Sequence, residues 1–295
     1  MAACVVYRPL SAGADTLPII DAHSQFDGNV DPSRIIQLMG QAGVVQTILS
    51  ARGRVSPEQV AALAGQYPRR IVAALRTKGG IYSKNKQKYY VQLSKQAAMP
   101  AFRAMAEVIM WHAAKGNKAD KVVVFPTDKR VSAALAVANA RKWPFIPHIE
   151  YAAAGAEGDP ILSALEVLFD TYRDQTFLLI HMGQLPFDEV DRLITTHRNV
   201  GFLVSHSNPV SIAKSAQPWT NLFDGDTLSP RWLTLMTRHP DRFVLNFDNV
   251  FAEHWGAFYL DQVALWRKAL AGLPHDSAHM IAHRNAERLW RLDPH

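Results

Sequence analysis

The chain has 295 residues, 48% of them hydrophobic, which is enough material for one large α/β barrel or for two smaller domains. Its 32 basic and 26 acidic residues give a net charge of +6, but they are interspersed and form no long basic block. We therefore expect no nucleic-acid partner. Every apolar stretch is shorter than the ~18 residues that a membrane span needs, so we also expect no membrane partner.

The single cysteine, Cys4, excludes an intrachain disulfide and fits a reducing compartment. We therefore expect a cytoplasmic protein. The N-terminal residues lack the basic segment and the long apolar segment of a secretory signal, although export with a leader missing from this sequence stays open. Residues 1–17 are interpreted as an irregular N-terminal arm.

Short apolar runs alternate with helical patterns along the rest of the chain. The first run is followed by a helix that Asp31 caps at its start and Gly43 ends. A long helix is predicted from about Tyr90 to Lys115, before the fourth run. The eight predicted strands cover residues 18–26, 44–49, 70–76, 121–125, 144–148, 176–181, 199–204 and 242–248.

This alternation, with no linker between the units, predicts a single (β/α)8 TIM barrel over residues 18–295. The rival architecture is a doubly wound open sheet. Such a sheet would normally carry a glycine-rich phosphate loop after its first strand, and the segment from Asp21 to Asp27 has no such loop. The sequence therefore favours the barrel.

In such a barrel, residues at the carboxyl ends of the strands converge on one pocket. Several predicted strands end on or near a histidine. Any one such histidine alone would more often be a packing residue, but the joint placement of several favours a divalent metal site, with zinc as the first candidate. Asp248 could hold the metal or act as the base that activates water. The residues expected to converge there, as metal ligands or catalytic groups, are His23, Gln25, His148, His181 and Asp248, and His206 is a further candidate at the same mouth.

The chain resembles the amidohydrolase-related family (amidohydrolase 2 type) of metal-dependent (β/α)8 enzymes. The resemblance rests on Ile-Ile-Asp-Ala-His23 at the first strand, His148, Leu-Leu-Ile-His181-Met-Gly at the sixth strand, Asp248, and a closing helix that contains Asn285-Ala. It implies that His23, His148 and Asp248 bind the metal. It also implies that His181 either binds the metal or polarises substrate or water.

The chain departs from this family at the first strand, where the usual His-x-His motif is His23-Ser-Gln25. An amide oxygen is a poorer zinc ligand than imidazole, so we expect weaker metal binding or a preference for a harder ion. Some relatives of this kind hydrolyse lactones without metal, and a metal-independent lactonase therefore stays open.

Basic residues follow the second and third predicted strands. Arg52, Arg54, Arg76 and Lys78 form a cationic wall that could bind an acidic substrate, because arginine in particular suits bidentate recognition of carboxylate or phosphate. Arg76 is the first choice, and ordinary surface charge is the simpler alternative for each of them.

The sequence thus predicts a metal-dependent hydrolase that acts on a small, anionic ester, lactone or amide. Its expected partner is a small-molecule substrate, and a homo-oligomer is compatible with the sequence. Two further alternatives stay open: a decarboxylase of an aromatic or unsaturated acid, and a non-catalytic barrel that binds a small acid.

Overall fold

The structure is a computed structural model that describes residues 17–116 and 119–295. The predicted N-terminal arm, residues 1–17, lies outside the described residues except for Leu17. Within the described ranges, no helix is both long enough and apolar enough to cross a membrane.

The strands of the described ranges are mostly short and buried. They are β1 (Ile19–Phe26), β2 (Val44–Ala51), β3 (Ile71–Leu75), β4 (Phe102–Met105), β5 (Val108–His112), β6 (Val122–Val123), β7 (Pro147–Ile149), β8 (Phe177–Ile180), β9 (Val200–Leu203), β10 (Phe223–Asp224), β11 (Thr227–Leu228) and β12 (Phe243–Val244).

Helices connect most of these strands. They are α1 (Pro32–Ala42), α2 (Pro57–Gln66), α3 (Gly80–Ser83), α4 (Gln87–Ala98), α5 (Lys129–Arg141), α6 (Tyr151–Ala154), α7 (Gly158–Thr171), α8 (Phe187–Thr196), α9 (Pro209–Ile212), α10 (Pro230–Arg238), α11 (Ala257–Ala271), α12 (His275–His279) and α13 (Asn285–Trp290).

Parallel strands form the wall of a (β/α)8 barrel, as predicted. β1 to β4 pair in sequence order, β5 pairs with β7, and β9 lies between β8 and β12. Backbone hydrogen bonds join these groups. Leu178 N–H donates to Phe145 O at 2.9 Å, and Asp248 N–H donates to His23 O at 2.9 Å, which links the last strand segment to the first.

Local sequence signals explain how the first βα units begin and end. The Asp31 carboxylate accepts a hydrogen bond from Ser33 N–H at the start of α1, and Gly43 ends the helix with a left-handed φ of 68°. Ser56 and Gln59 form a reciprocal capping box at the start of α2. The predicted boundaries of the first helix, α1, are confirmed.

The fourth barrel strand is not where the sequence pattern predicted it. The long helix ends at Ala98, and residues 102–112 form the fourth strand as β4 and β5, with a break at Ala106 and Glu107. Pro100 explains the early end of the helix, because the residue before a proline is driven out of the helical region. The predicted strand at residues 121–125 contains only the two-residue β6, which pairs antiparallel with β5.

Asp21 connects the first and last strands of the barrel. Its carboxylate is fully buried and accepts hydrogen bonds from Ser24 Oγ at 2.6 Å, Phe247 N–H at 2.9 Å and His23 N–H at 3.3 Å. Burial is the largest influence on this group and raises the pKa of Asp21 to about 7, against the lowering effect of these hydrogen bonds.

The raised pKa of Asp21 predicts a pH-dependent stability. The Asp21 carboxyl ionises near pH 3.8 in the unfolded chain and near pH 7 in the folded protein. Its contribution to the free energy of unfolding is therefore fully present below pH 3.8 and is lost as the pH rises through about 7. We expect Asp21→Asn to flatten this loss in the metal-free protein. Chemical denaturation of both proteins between pH 5 and pH 8, in steps of about one pH unit, measures the free energy of unfolding of each. Parallel pH dependences in the two proteins would contradict the raised pKa of Asp21.

Candidate metal centre

The carboxyl ends of the barrel strands bring a set of polar side chains together at one mouth. Most of these polar side chains are buried, and the strands that carry them are otherwise apolar. The predicted residues found there are His23 and Gln25 on β1, Lys78 after β3, His148 on β7, His181 after β8, His206 after β9 and Asp248 after β12.

Asp248 contacts three of these side chains. Its Oδ1 accepts a hydrogen bond from Gln25 Nε2 at 2.8 Å and lies 3.2 Å from His23 Nδ1. Its Oδ2 lies 3.6 Å from His181 Nε2. The residue has a left-handed φ of 47°, an unfavourable conformation for aspartate that is typical of functional positions.

Glu107 completes the group, and sequence reasoning missed it because the fourth strand had been placed elsewhere. It lies at the break between β4 and β5, where it is buried and in direct contact with the ammonium group of Lys78. Its Oε2 lies 3.5 Å from His148 Nδ1 and 3.8 Å from His23 Nε2. A lone carboxylate within the apolar run after Pro100 was the signal that could have identified it.

Glu150 lies on the far side of His148 and forms a second acidic position. It accepts hydrogen bonds from Ala113 N–H at 2.6 Å and Lys115 Nζ at 2.7 Å. His148 Nε2 is 3.4 Å from the same carboxylate, so the ring of His148 lies between Glu107 and Glu150.

Aromatic rings line another side of the mouth. His181 and His206 stack in parallel with ring centroids 4.4 Å apart, and both have left-handed backbones. Trp219, which sequence reasoning also missed, contacts the two rings at centroid distances of 5.1 and 4.8 Å. Lys115 Nζ lies 5.0 Å from the centroid of the Trp219 ring. His181 Nδ1 contacts Ser205 Oγ at 2.8 Å, which leaves Nε2 facing Asp248.

The electrostatic environment keeps the carboxylates charged. Burial acts to raise the pKa of Glu107, but the charges of Lys78 and His148 outweigh it and hold the pKa well below its usual range. Burial and the charge of Glu107 likewise act to raise the pKa of Asp248. The contact with His23 and the charge of His23 prevail and lower it.

The stacked histidines are kept neutral. Burial, and then the neighbouring His206, lowers the pKa of His181 well below its usual value. Burial lowers the pKa of His206 to about 4. His23 and His148 behave differently: burial lowers their pKa values, but contacts with Asp248 and Glu107 outweigh it and raise them.

The donor atoms of this site fit a divalent ion. His23 Nδ1, Gln25 Oε1, Glu107 Oε2 and His148 Nδ1 are buried and have no hydrogen-bond partner in the described part of the chain. Buried polar atoms nearly always form hydrogen bonds, so four such atoms without a hydrogen bond at one mouth indicate a shared ligand. Glu107 belongs to two sets of residues, and within each set the donor atoms lie within 4.8 Å of one another. The first set is His23, Glu107 and Asp248, and the second is Glu107, His148 and His181. Mixed imidazole and carboxylate ligation of this kind suits a divalent metal.

The predicted substrate-binding arginines lie at the rim. Arg76 donates hydrogen bonds to Lys78 O and Gly53 O, both at 3.1 Å, and so connects the loops after β2 and β3. The guanidinium of Arg52 lies 4.4 Å from the centroid of the Phe251 ring. Burial and the charge of Arg52 lower the pKa of Arg76, which indicates that Arg52 lies near Arg76 at this rim.

Comparison with known proteins identifies the architecture. No family sequence model and no curated protein sequence matches the chain. A TIM-barrel protein of uncharacterised function from Bordetella bronchiseptica has a TM-score of 0.61 at 16% identity, over 94% of this chain and 99% of that chain. The chain has a TIM-barrel fold.

Two further solved structures share this barrel. A zinc-bound amidohydrolase from Burkholderia multivorans has a TM-score of 0.55 at 14% identity, over 93% of this chain and 99% of that chain. A probable 2-pyrone-4,6-dicarboxylic acid hydrolase from Acinetobacter baumannii, with citric acid bound, has a TM-score of 0.54 at 10% identity, over 92% of this chain and 99% of that chain. At these identities the likeness concerns the fold.

Proposed function

We propose that the protein is a divalent-metal hydrolase that acts on a small, anionic ester, lactone or amide. The observation that carries this proposal is the convergence of His23, Glu107, His148, His181 and Asp248 at the barrel mouth, where several buried donor atoms form no hydrogen bond with the described residues. Hydrolases among the structural neighbours support the same reaction class.

The proposed ion is zinc, held by His23, Glu107, His148 and Asp248. Imidazoles combined with carboxylates are typical zinc ligands, and a structural neighbour carries zinc. A divalent ion at this position would polarise a substrate carbonyl and lower the pKa of water. Gln25 supports Asp248 through its amide nitrogen, and its free Oε1 is a further donor at the same place.

Asp248 and His181 are proposed to move the proton. Asp248 stays ionised at neutral pH, so its Oδ2 can accept a proton from the attacking water. Because this carboxylate is a weak base, the proton would pass on to His181 Nε2, 3.6 Å away. His181 is neutral and can receive it, and would then donate it to the leaving group.

The substrate is proposed to be an anion. Arg52 and Arg76 lie at the rim, while Lys78 and Lys115 add positive charge from positions where they pair with Glu107 and Glu150. His206 and Trp219 form an aromatic wall on which a flat group can pack. A dicarboxylic acid hydrolase with bound citric acid among the neighbours supports an acidic substrate.

Loss of Asp248 should remove most of the activity. We expect Asp248→Asn to lower kcat/KM by about 10²–10⁴-fold, because the amide cannot accept the proton, and we expect His148→Ala to lower both activity and metal content. The assay is a panel of small anionic lactones, esters and amides, with zinc or manganese supplied.

The matched control is Asp174→Asn, since Asp174 is exposed and precedes β8, at the opposite end of the strands. Unchanged turnover in both site variants would refute the proposal. Release of carbon dioxide from an unsaturated acid would identify a decarboxylase, and activity without metal would identify a metal-independent lactonase.

Arg52 should select anionic substrates. We expect Arg52→Met to raise KM for an anionic substrate about tenfold or more with a smaller change in kcat, because a charge-assisted hydrogen bond contributes about 1.5–3 kcal/mol. Arg54→Met is the matched control, because Arg54 lies two residues away and is exposed. Equal effects of the two substitutions, or an equal effect on a neutral analogue, would show that Arg52 does not bind the anionic group.

A further inference from the structure

Three histidines lie in a row on the last helical segment of the chain. His275 and His279 belong to α12, and His283 follows in the π-helical turn Met280–Arg284, which joins α12 to α13. Residues four positions apart on a helix are neighbours on one face. This histidine row is separate from the group at the barrel mouth, so the proposed hydrolysis does not use it.

The segment that carries the histidine row closes the amino-terminal end of the barrel. Asn285 Nδ2 donates hydrogen bonds to Pro240 O at 2.7 Å and to Phe243 O at 2.9 Å, where β12 begins. Further along the segment, Trp290 and Leu292 belong to a buried apolar cluster with side chains of the barrel strands. The row therefore lies at the opposite end of the strands from the mouth.

A chain of hydrogen bonds determines which ring nitrogens carry protons in this row. The ionised Glu287 carboxylate can only accept, so His283 donates to its Oε1 from Nδ1, at 2.8 Å. The neutral His283 ring then presents Nε2 as an acceptor, and His279 donates to it from Nδ1 at 3.0 Å. Neutral His279 consequently has an unprotonated Nε2, whose lone pair can bind a cation.

His275 is oriented in a similar way next to His279. Its Nδ1 lies 3.4 Å from Asp276 Oδ1, which favours the proton on Nδ1 and leaves the lone pair on Nε2. The His275 and His279 rings have centroids 4.2 Å apart at an interplanar angle of 37°. Two imidazoles this close can bind the same ion, although the nearby charge of Arg284, 3.5 Å from Asp276 Oδ1, opposes it.

Exposure differs between the two ends of the row. The side chain of His275 is 77% exposed and His279 is partly exposed, so an ion from solvent can reach both rings. The side chains of His283 and Glu287 are only 3% and 12% exposed. A carboxylate or a hydrogen-bonded group behind a histidine is the usual support of a metal ligand, because it fixes the tautomer and the orientation of the ring.

We propose that His275 and His279 form a second, exposed site for a divalent transition-metal ion of the copper, nickel or zinc class. His283 and Glu287 are positioning residues, which hold His279 with its Nε2 toward the ion. Imidazole nitrogen suits these ions, and water completes the coordination. An ion bound here stabilises the segment that closes the barrel, because the unfolded chain does not hold the two rings together.

The test uses metal fixed on a resin, because an immobilised ion reaches exposed imidazoles and cannot enter the buried group at the mouth. Full-length protein without an affinity tag is loaded on immobilised Ni²⁺ at about pH 8, where imidazoles are neutral, and is eluted with an imidazole gradient. We expect the wild type to be retained. His275→Gln and His279→Gln should each elute at a much lower imidazole concentration, since one ligand remains.

The matched control is His239→Gln, since His239 is a partly exposed histidine at the end of α10 whose Nε2 accepts a hydrogen bond from Arg238 Nε at 3.0 Å. It should elute with the wild type. Thermal unfolding gives a second readout: Ni²⁺ should raise the midpoint of the wild type more than that of His275→Gln. Both proteins keep the residues of the mouth, so the difference reports on the exposed site.

Two substitutions of His283 test its positioning role. His283→Gln keeps one group that accepts from His279 and one that donates to Glu287, so its Ni²⁺ retention should stay close to that of the wild type. His283→Leu removes both groups and should weaken Ni²⁺ binding by about tenfold or more. If His283→Leu folds poorly, the exposed substitutions His275→Gln and His279→Gln still decide whether the site exists.

Two results would overturn the site itself: a wild type that is not retained on Ni²⁺, or His275→Gln and His279→Gln variants that elute with the wild type. Equal Ni²⁺ binding by folded His283→Gln and His283→Leu would reject the positioning role. These outcomes are independent of the hydrolase, because none of the substituted residues lies at the barrel mouth.

Discussion

The burial of carboxylates at the carboxyl-terminal mouth of the barrel is the constraint on which the site depends. Removing an ionised carboxylate from water costs several kcal/mol, so each one needs a compensating charge or a set of hydrogen bonds. Glu107 and Glu150 have lysine partners, whereas Asp248 has Gln25 and two imidazoles. Within the described ranges, His23 Nδ1 and His148 Nδ1 lie next to these charges without forming a hydrogen bond, and a cation would complete this arrangement.

The barrel supplies the rigidity that this arrangement needs. His23 and Asp248 come from the first and last strands, and the backbone hydrogen bond from Asp248 to His23 O holds these strands in register. Asp21 strengthens the same junction from below, where it accepts hydrogen bonds from both strands. Closing the barrel and assembling the site are therefore one structural event, because a shift of either strand would separate the ligands.

The sequence predicted the strand-end residues well, because each of them ends or follows a buried apolar run. His23, Gln25, His148, His181 and Asp248 were found this way, and the structure brings them together. Glu107 could not be found in the same way, because the short apolar run that contains it was assigned to a helix. For runs this short, hydrophobic periodicity does not distinguish a helix from a strand. Its pairing with Lys78 joins residues that lie 29 positions apart, and no local pattern encodes such a contact. Trp219 lies in a long segment between β9 and α10, where a single sequence is least informative.

An anomalous-scattering map of crystals grown with zinc is the most direct test of the central claim, that these buried donors form one metal site. The account predicts a single strong peak within bonding distance of Glu107 Oε2 and His148 Nδ1, which is about 2.0–2.2 Å for zinc ligands of these types. The absence of a peak at the barrel mouth, or a peak bound only by exposed surface histidines, would contradict it.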